Sequence, residues 1–463
     1  MSYQISRRTV MVGGLAAAGA VAGLSSSARA ERSQAPVPTL NPLIEQRADP
    51  FITHPVRGMY YFTGSVPEYD RIVVRGAATI EGLSTATETV IWRRPATGQM
   101  AGHIWAPELH RIDGRWYIYF AAGDSDDVFR VRMYVLESAL ADPRDPSGWT
   151  LRGKIETEWD GFSLDATTFE HRRKRYLVWA QSEPEIAVNT SLYIAEMASP
   201  FALATKPTRI ATPTRSWEIQ GFRVNEGPAV IVRNGRVFVT FSASATDSRY
   251  CMGLLTAGAD ADLLDRASWT KTPDPVFVSD EQTKQWGPGH NCFTVAEDGV
   301  TDLLVYHARD YRNIVGDPLY DPNRHTRVQQ LYWHRDGTPL FGVPVGKGGP
   351  IVRLSPADAP HGFVRHAAFL LRVDADVREL ADSQFRFVAG ADGTEVLRSV
   401  NFPDRSVTVA GAAVRIELGP GTAFHRRSRG KGVTLEVAAA PGTFLRHERG
   451  IVTVGRETTF LLG

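Results

Sequence analysis

The sequence predicts an all-β chain, a five-bladed β-propeller followed by a β-trefoil. Three observations lead there. Between Ala48 and Val345 one theme recurs five times, at a spacing of about 60 residues. Turn dipeptides such as Asp113-Gly114, Asn234-Gly235 and Asp298-Gly299 punctuate strand-like runs; such pairs tolerate the positive φ angles that two-residue hairpins need. After Leu354 a second, shorter theme recurs three times.

Before the repeats comes an address. Arg7-Arg8 is followed by an apolar, Ala/Gly-rich stretch from Val10 to Leu24 and by Ala28-Arg29-Ala30, a small-x-small cleavage pattern. Residues 1–30 therefore read as a twin-arginine signal peptide of a bacterial protein, secreted to the periplasm or beyond. The propeller is expected over residues 31–350 and the trefoil over 351–463, with Gly346-Lys347-Gly348-Gly349-Pro350 as the join. A formal net charge of +1 supplies no concentrated basic face for nucleic acid or membrane. No apolar run in the mature chain approaches the roughly 20 residues of a membrane span. A monomer is expected. Cys251 and Cys292 both fall in strand-like runs, and export permits either a disulfide or two buried thiols.

Each long unit opens on a short segment with one distinctive residue, then a turn and an apolar strand. The openings are Asp49-Pro50-Phe51-Ile52, Ile104-Trp105-Ala106-Pro107-Glu108, Leu164-Asp165-Ala166-Thr167, Asn225-Glu226-Gly227-Pro228 and Gly289-His290-Asn291. The inner strand of every propeller blade lines the central channel. Asp49, Trp105, Asp165, Glu226 and His290 are thus expected at one register position around a common pocket.

Taken singly, Asp49 before a proline and Asp165 at a bend are ordinary turn residues; Glu226 before Gly-Pro fits a solvent-facing position. Their common place in successive units makes them a set. Glycoside hydrolysis needs one carboxylic acid to protonate the leaving oxygen and one carboxylate as base or nucleophile. The acid must keep its proton near neutral pH, which burial or a neighbouring negative charge achieves.

At these residues the chain resembles glycoside hydrolase family 43, five-bladed propeller enzymes that invert the anomeric centre. The resemblance is carried by Ala48-Asp49-Pro50-Phe51-Ile52, Trp105-Ala106-Pro107-Glu108-Leu109, Ser163-Leu164-Asp165-Ala166-Thr167 and Asn225-Glu226-Gly227-Pro228. It implies Asp49 as general base, Glu226 as general acid and Asp165 as the residue that tunes and orients Glu226. Base and acid should then stand roughly 6.5–9.5 Å apart, leaving room for a water. Gly287-Pro288-Gly289-His290-Asn291 resembles the family's fifth-blade histidine motif, so His290 is expected at the substrate, as a contact to an axial calcium or sodium ion, or as a purely structural residue. No cofactor is required. Arg327 resembles an arginine that hydrogen-bonds sugar hydroxyls, with a rim salt bridge as its alternative. Trp105 is expected to present its ring to the sugar or to pack between blades, and Glu108 to be structural.

The second theme resembles the arabinofuranose-binding trefoil of carbohydrate-binding family 42, through Ser399-Val400-Asn401-Phe402-Pro403-Asp404-Arg405 and Thr443-Phe444-Leu445-Arg446-His447. The resemblance implies one pocket from His366 with Asp382 and another from His447 with Glu457. The middle unit offers Val409 and Gly421 and no pocket. A binder of this kind implies an arabinose-containing plant cell-wall polysaccharide as partner, and an exo-acting enzyme releasing L-arabinose from α-1,5-arabinan or from arabinofuranosyl side chains. A β-xylosidase or exo-β-1,3-galactanase of the same family, and a non-catalytic carbohydrate-binding protein, are the alternatives.

Overall fold

Residues 40–463 are described by the structure, a computed structural model; the leader predicted over residues 1–30 lies outside the described residues. The first blade is the meander Ala48–Ile52, Tyr60–Ser65, Arg71–Ala77 and Thr89–Arg93. The second runs Gly102–Ile112, Arg115–Gly123, Arg132–Ser138 and Trp149–Lys154. Inner strands Ser163–His171, Asn225–Arg233 and Trp286–Val295 open the third, fourth and fifth. Each inner strand packs on the next, and the fifth packs on the first, which closes a five-bladed β-propeller.

Hairpin chemistry sets the meanders. Asp113 and Gly114 both have positive φ (47° and 81°), as do Asn234 and Gly235 (52° and 72°), the geometry whose twist matches paired strands. The third blade turns on Arg172 and Arg173, at 52° and 64°, with no residue type that announces a turn. Second strands such as Lys174–Gln181 are buried on both faces because each blade is covered by its neighbours. They therefore read as apolar runs, not as alternation. Tyr117, Tyr119 and Val135 of the second blade meet Leu177, Trp179 and Tyr193 of the third. Each such fully buried side chain contributes about 1.5–3 kcal/mol over an exposed one. Cys251 lies in the core between the third and fourth blades and Cys292 in that between the fifth and first, so the two are free thiols and no disulfide links them.

A β-bulge interrupts every inner strand near its pocket end. Residues there take positive φ: Asp49 (50°), Ala106 (44°), Asp165 (59°), Gly227 (53°) and His290 (43°), with His103 (43°) and Gly287 (60°) also left-handed in the second and fifth inner strands. A bulge re-aims side chains that a regular strand would leave on its faces. In the second and fourth blades a left-handed residue comes directly after Trp105 and after Glu226. The expectation of a single shared register is corrected accordingly: Trp105 and Glu226 reach the pocket from one position earlier.

The fifth blade is completed by the start of the described chain. Leu43 N–H donates to Thr326 O and Thr326 N–H to Ile44 O, at 2.8 and 2.9 Å. The Asn41 carboxamide both donates to Val328 O and accepts from Val328 N–H, each at 2.8 Å.

Residues beyond the join form a sheet of twelve strands with its own core. Hairpins Phe363–Ala367 with Leu370–Asp374, Arg405–Ala410 with Ala413–Leu418, and Phe444–Glu448 with Ile451–Gly455 recur in order. The first pairs with the other two at Leu370–Arg415 and Arg372–Ile451. Phe385, Phe424 and Phe460, the closing residues of the three units, are all buried in this core. Arg386 reaches back and donates to two carbonyls of the join, Gly349 O and Gly346 O, both at 2.9 Å.

Asn41→Ala would leave the Val328 backbone without its clamp. A loss of about 1–3 kcal/mol is expected for the buried donor and acceptor, read as a lower denaturant midpoint with an unchanged slope.

Candidate active site

The bulges bring three carboxylates and a cluster of bases to one buried place. Asp49 Oδ2 accepts from Ser65 Oγ at 2.6 Å, and that hydroxyl also accepts from Ala106 N–H at 2.8 Å, tying the first blade to the second. Asp49 Oδ1 faces Arg324 Nη1 at 3.3 Å and His290 Nδ1 at 3.4 Å. Its backbone N–H donates to His307 Nδ1 at 3.1 Å. That nitrogen is therefore an acceptor, and its 3.4 Å approach to Asp49 Oδ1 is no ion pair. Burial, with Arg324 beside it, pushes His307 well below the ordinary histidine range, so it is neutral.

Asp165 Oδ2 accepts from Gly227 N–H at 2.9 Å and lies 3.9 Å from His290 Nδ1. Glycine suits position 227: φ is +53°, and an added Cβ would press on the His290 ring at 3.0 Å. Glu226, half-buried, accepts at Oε1 from the Tyr250 hydroxyl at 2.7 Å.

These surroundings divide the carboxylates. Burial works to raise Asp49, but Arg324, His290 and the Ser65 hydroxyl outweigh it and hold the group well below the usual carboxylate range. Burial and the Asp165 charge push Glu226 up to about 7, against the Tyr250 hydrogen bond and His290. Asp165 is also raised, first by burial and then by Asp49, although His290 opposes. The Asp165–Glu226 pair thus retains a proton that Asp49 has lost. Burial alone would depress His290; Asp49, Asp165 and Glu226 together raise it, favouring the imidazolium.

Of the residues expected here, Asp49, Asp165, Glu226 and His290 come together. Trp105 stands at the wall, stacked on His103 at 4.5 Å and edge-on to Tyr69 at 5.8 Å. Arg327 does not join them. Its buried guanidinium pairs with Asp310 at 2.6 Å and donates to Val345 O at 3.1 Å. Arg324 is the arginine of the pocket, donating to Tyr69 Oη at 2.8 Å as well as facing Asp49. Three positions along an extended chain point to opposite sides, so the two arginines cannot share a site. Arg324, Tyr250, His307 and Ser65 were not legible as site residues; none lies in an opening motif. Glu108 pairs with His110 Nε2 at 2.7 Å.

An ion on His290 finds no cage. Its Nδ1 faces two carboxylates as a cation would, and no group of three or more His, Cys, Asp or Glu is arranged to hold a metal among the described residues. The residues do not fit a protein-caged ion there.

On the C-terminal sheet, His366 Nε2 meets Asn401 Oδ1 at 3.0 Å, and Asn401 Nδ2 donates to Asp382 Oδ1 at 2.9 Å. Phe402 and Phe369 flank the His366 ring at 5.3 and 6.4 Å. His447 and Glu457 are not brought together, contrary to expectation. Glu457 accepts from Arg429 at 2.7 Å, and His447 Nδ1 contacts Asp358 Oδ1 at 3.1 Å.

A buried ionised carboxylate and a carboxylic acid kept protonated in one pocket are the equipment of a glycoside hydrolase. Residues 39–339 match the model of glycosyl hydrolases family 43, and the chain belongs to that family. It is 57% identical over 354 residues to an extracellular exo-α-(1→5)-L-arabinofuranosidase of Streptomyces avermitilis, spanning 76% of this chain and 73% of that one. With α-L-arabinofuranosidase 43 of Humicola insolens it shares 48% identity over 454 residues, 92% of this chain and 93% of the other. The crystal structure of an α-L-arabinofuranosidase from Lactobacillus brevis superposes with a TM-score of 0.65 at 55% identity, over 67% of this chain and 98% of that one.

The active form has Asp49 ionised and Glu226 protonated, so activity is expected to fall as pH rises through about 7. Asp165→Asn removes a charge that raises Glu226; the alkaline limb of kcat/KM should move to lower pH. Arg324→Gln removes a cation that depresses Asp49; the acidic limb should move to higher pH. Arg327→Gln should leave both limbs in place. Initial rates across a buffer series measure all three.

Proposed function

We propose that the protein is an inverting exo-α-L-arabinofuranosidase releasing L-arabinose from the non-reducing ends of α-1,5-arabinan or from arabinofuranosyl side chains. One observation carries the mechanism: the opposed protonation of Asp49 and Glu226 within one pocket. Asp49 takes a proton from a water as that water attacks the anomeric carbon. Glu226 gives its proton to the departing oxygen from the opposite side, so the configuration inverts. Asp165 raises Glu226 and, through Gly227 N–H, fixes the strand that carries it. No cofactor enters either proton transfer. The relatives named arabinofuranosidases support the sugar over xylose or galactose, and the complete set of acids supports an enzyme over a silent binder.

Exo action is supported by residues 311–323, which cross from the fifth blade toward the second. Arg309 donates to Thr246 O, Pro318 O and Asp321 at 2.7–3.0 Å. Tyr69 Oη donates to Leu319 O, and Tyr320 Oη meets His103 Nε2 at 3.2 Å. A segment so fastened is suited to close one end of the pocket.

We infer that residues 351–463 are a β-trefoil that binds arabinofuranose at His366, Asn401 and Asp382. The three recurring hairpins and their shared core support the fold. In the third unit Asp358 takes the place foreseen for Glu457 beside His447. Export by the twin-arginine route fits relatives named extracellular, and no helix of the described residues is long and apolar enough to cross a membrane.

On linear 1,5-arabinan the sole early product should be arabinose, and proton NMR should find its β-anomer first; oligosaccharides or the α-anomer would overturn the mode or the mechanism. Asp49→Ala and Glu226→Ala should each lower kcat on arabinan by at least about a hundredfold. His366→Ala should weaken action on polymer while leaving an aryl arabinofuranoside unaffected.

A further inference from the structure

Tyr250 belongs to no opening motif, yet it touches both Glu226 and the histidine behind Asp49. Its hydroxyl donates to Glu226 Oε1 at 2.7 Å. Its ring lies parallel to that of His307, 5° between planes and 5.7 Å between centroids. His307 in turn accepts the backbone N–H of Asp49. The ring is seated by a glycine: a Cβ on Gly289 would stand 2.5 Å from Tyr250 Cε1. Tyr250 is itself 2% exposed, so its ring is held in place before substrate arrives.

We propose that Tyr250 is the positioning residue of the general acid, holding Glu226 by Oε1 so that Oε2 carries the transferable proton to the leaving oxygen. The inference rests on Glu226 acting as that acid. Geometry supplies the reason. A carboxyl group turning about its last bond alternates its two oxygens at the substrate, and proton transfer is efficient only within hydrogen-bond reach of the departing oxygen. A donor on one oxygen removes that freedom. When the proton leaves Oε2, negative charge spreads to Oε1 and the Tyr250 hydrogen bond strengthens, which makes the contact stronger during reaction than before it. Through its stack on His307, the same side chain also holds the acid in a fixed relation to the strand that bears the base.

A group that acts only through the acid matters in proportion to the leaving group's need for a proton. Tyr250→Phe keeps the ring and deletes the hydroxyl, and is compared with wild type and Glu226→Gln on arabinotriose and on 2,4-dinitrophenyl α-L-arabinofuranoside, whose phenolate departs unassisted. For Tyr250→Phe, kcat on arabinotriose should fall about tenfold or more with KM within about twofold, while kcat on the dinitrophenyl substrate stays within about threefold. Gly289→Ala, which displaces the ring but keeps the hydroxyl, should reproduce the split and provides the test should Tyr250→Phe not fold. Equal losses on the two substrates, or no loss on arabinotriose, overturn the proposal. If Glu226→Gln retains its rate on arabinotriose, the acid assignment falls and this inference with it; if Glu226→Gln is inactive there and Tyr250→Phe is not impaired, only the role of Tyr250 falls.

Discussion

Three carboxylates buried around one axis cannot all be ionised, and the pocket is organised by that constraint. Like charges in a low-dielectric site repel strongly. The fold supplies two cations, Arg324 and His290, and both face Asp49 most closely. One charge therefore settles on Asp49, and the second is shared with a proton between Asp165 and Glu226. Two negative charges against two positive ones leave the pocket close to neutral, which makes its burial tolerable. The chemical roles follow from which oxygens are filled. Asp49 has a hydroxyl, a guanidinium and an imidazole around it, whereas Glu226 has a single neutral donor. A base must be ionised and an acid must not be, and the difference in donors produces that difference between the same functional groups.

Placement of these groups depends on a backbone device. An unbroken inner strand would project alternate side chains into the two interblade cores. The bulges turn the motif side chains toward the axis instead, at the cost of left-handed conformations that non-glycine residues adopt reluctantly. Such positions around one ring are compensated by the interblade cores on either side. Stability is thus distributed over the blades, while the uncommon conformations and buried charges are gathered at the centre.

Much of this was legible in the sequence. Asp-Gly and Asn-Gly turns, apolar second strands and the distinctive residue opening each unit specify the meanders and four of the axial side chains. Arg172-Arg173 escapes such a reading because tertiary pairing, not residue type, imposes its turn. The shift of register at Trp105 and Glu226 was hidden for a related reason: a bulge changes which neighbour faces inward without leaving a compositional mark. Arg324 and Arg327 differ only in which side of a strand they occupy, a parity that needs the strand's start to be known. Glu457 was misplaced because its partner, Arg429, lies on another unit and is close only once the hairpins have paired.

The residues that the motifs omit have a common character. Ser65, Tyr250, His307 and Arg324 lie on second or third strands or beside them, behind the axial groups. Each acts by hydrogen bond or charge on a motif residue. Ser65 and His307 fix the two ends of Asp49, its carboxylate and its backbone N–H. Motifs capture what the first strand of each blade presents; the second layer decides protonation and direction. A chain could therefore keep every inner-strand motif and still lose the division between base and acid, if the layer behind were changed. Catalytic competence in this architecture is a property of blade interiors as much as of the axis, because the same meander that builds the core also delivers the groups that make two carboxylates chemically unlike.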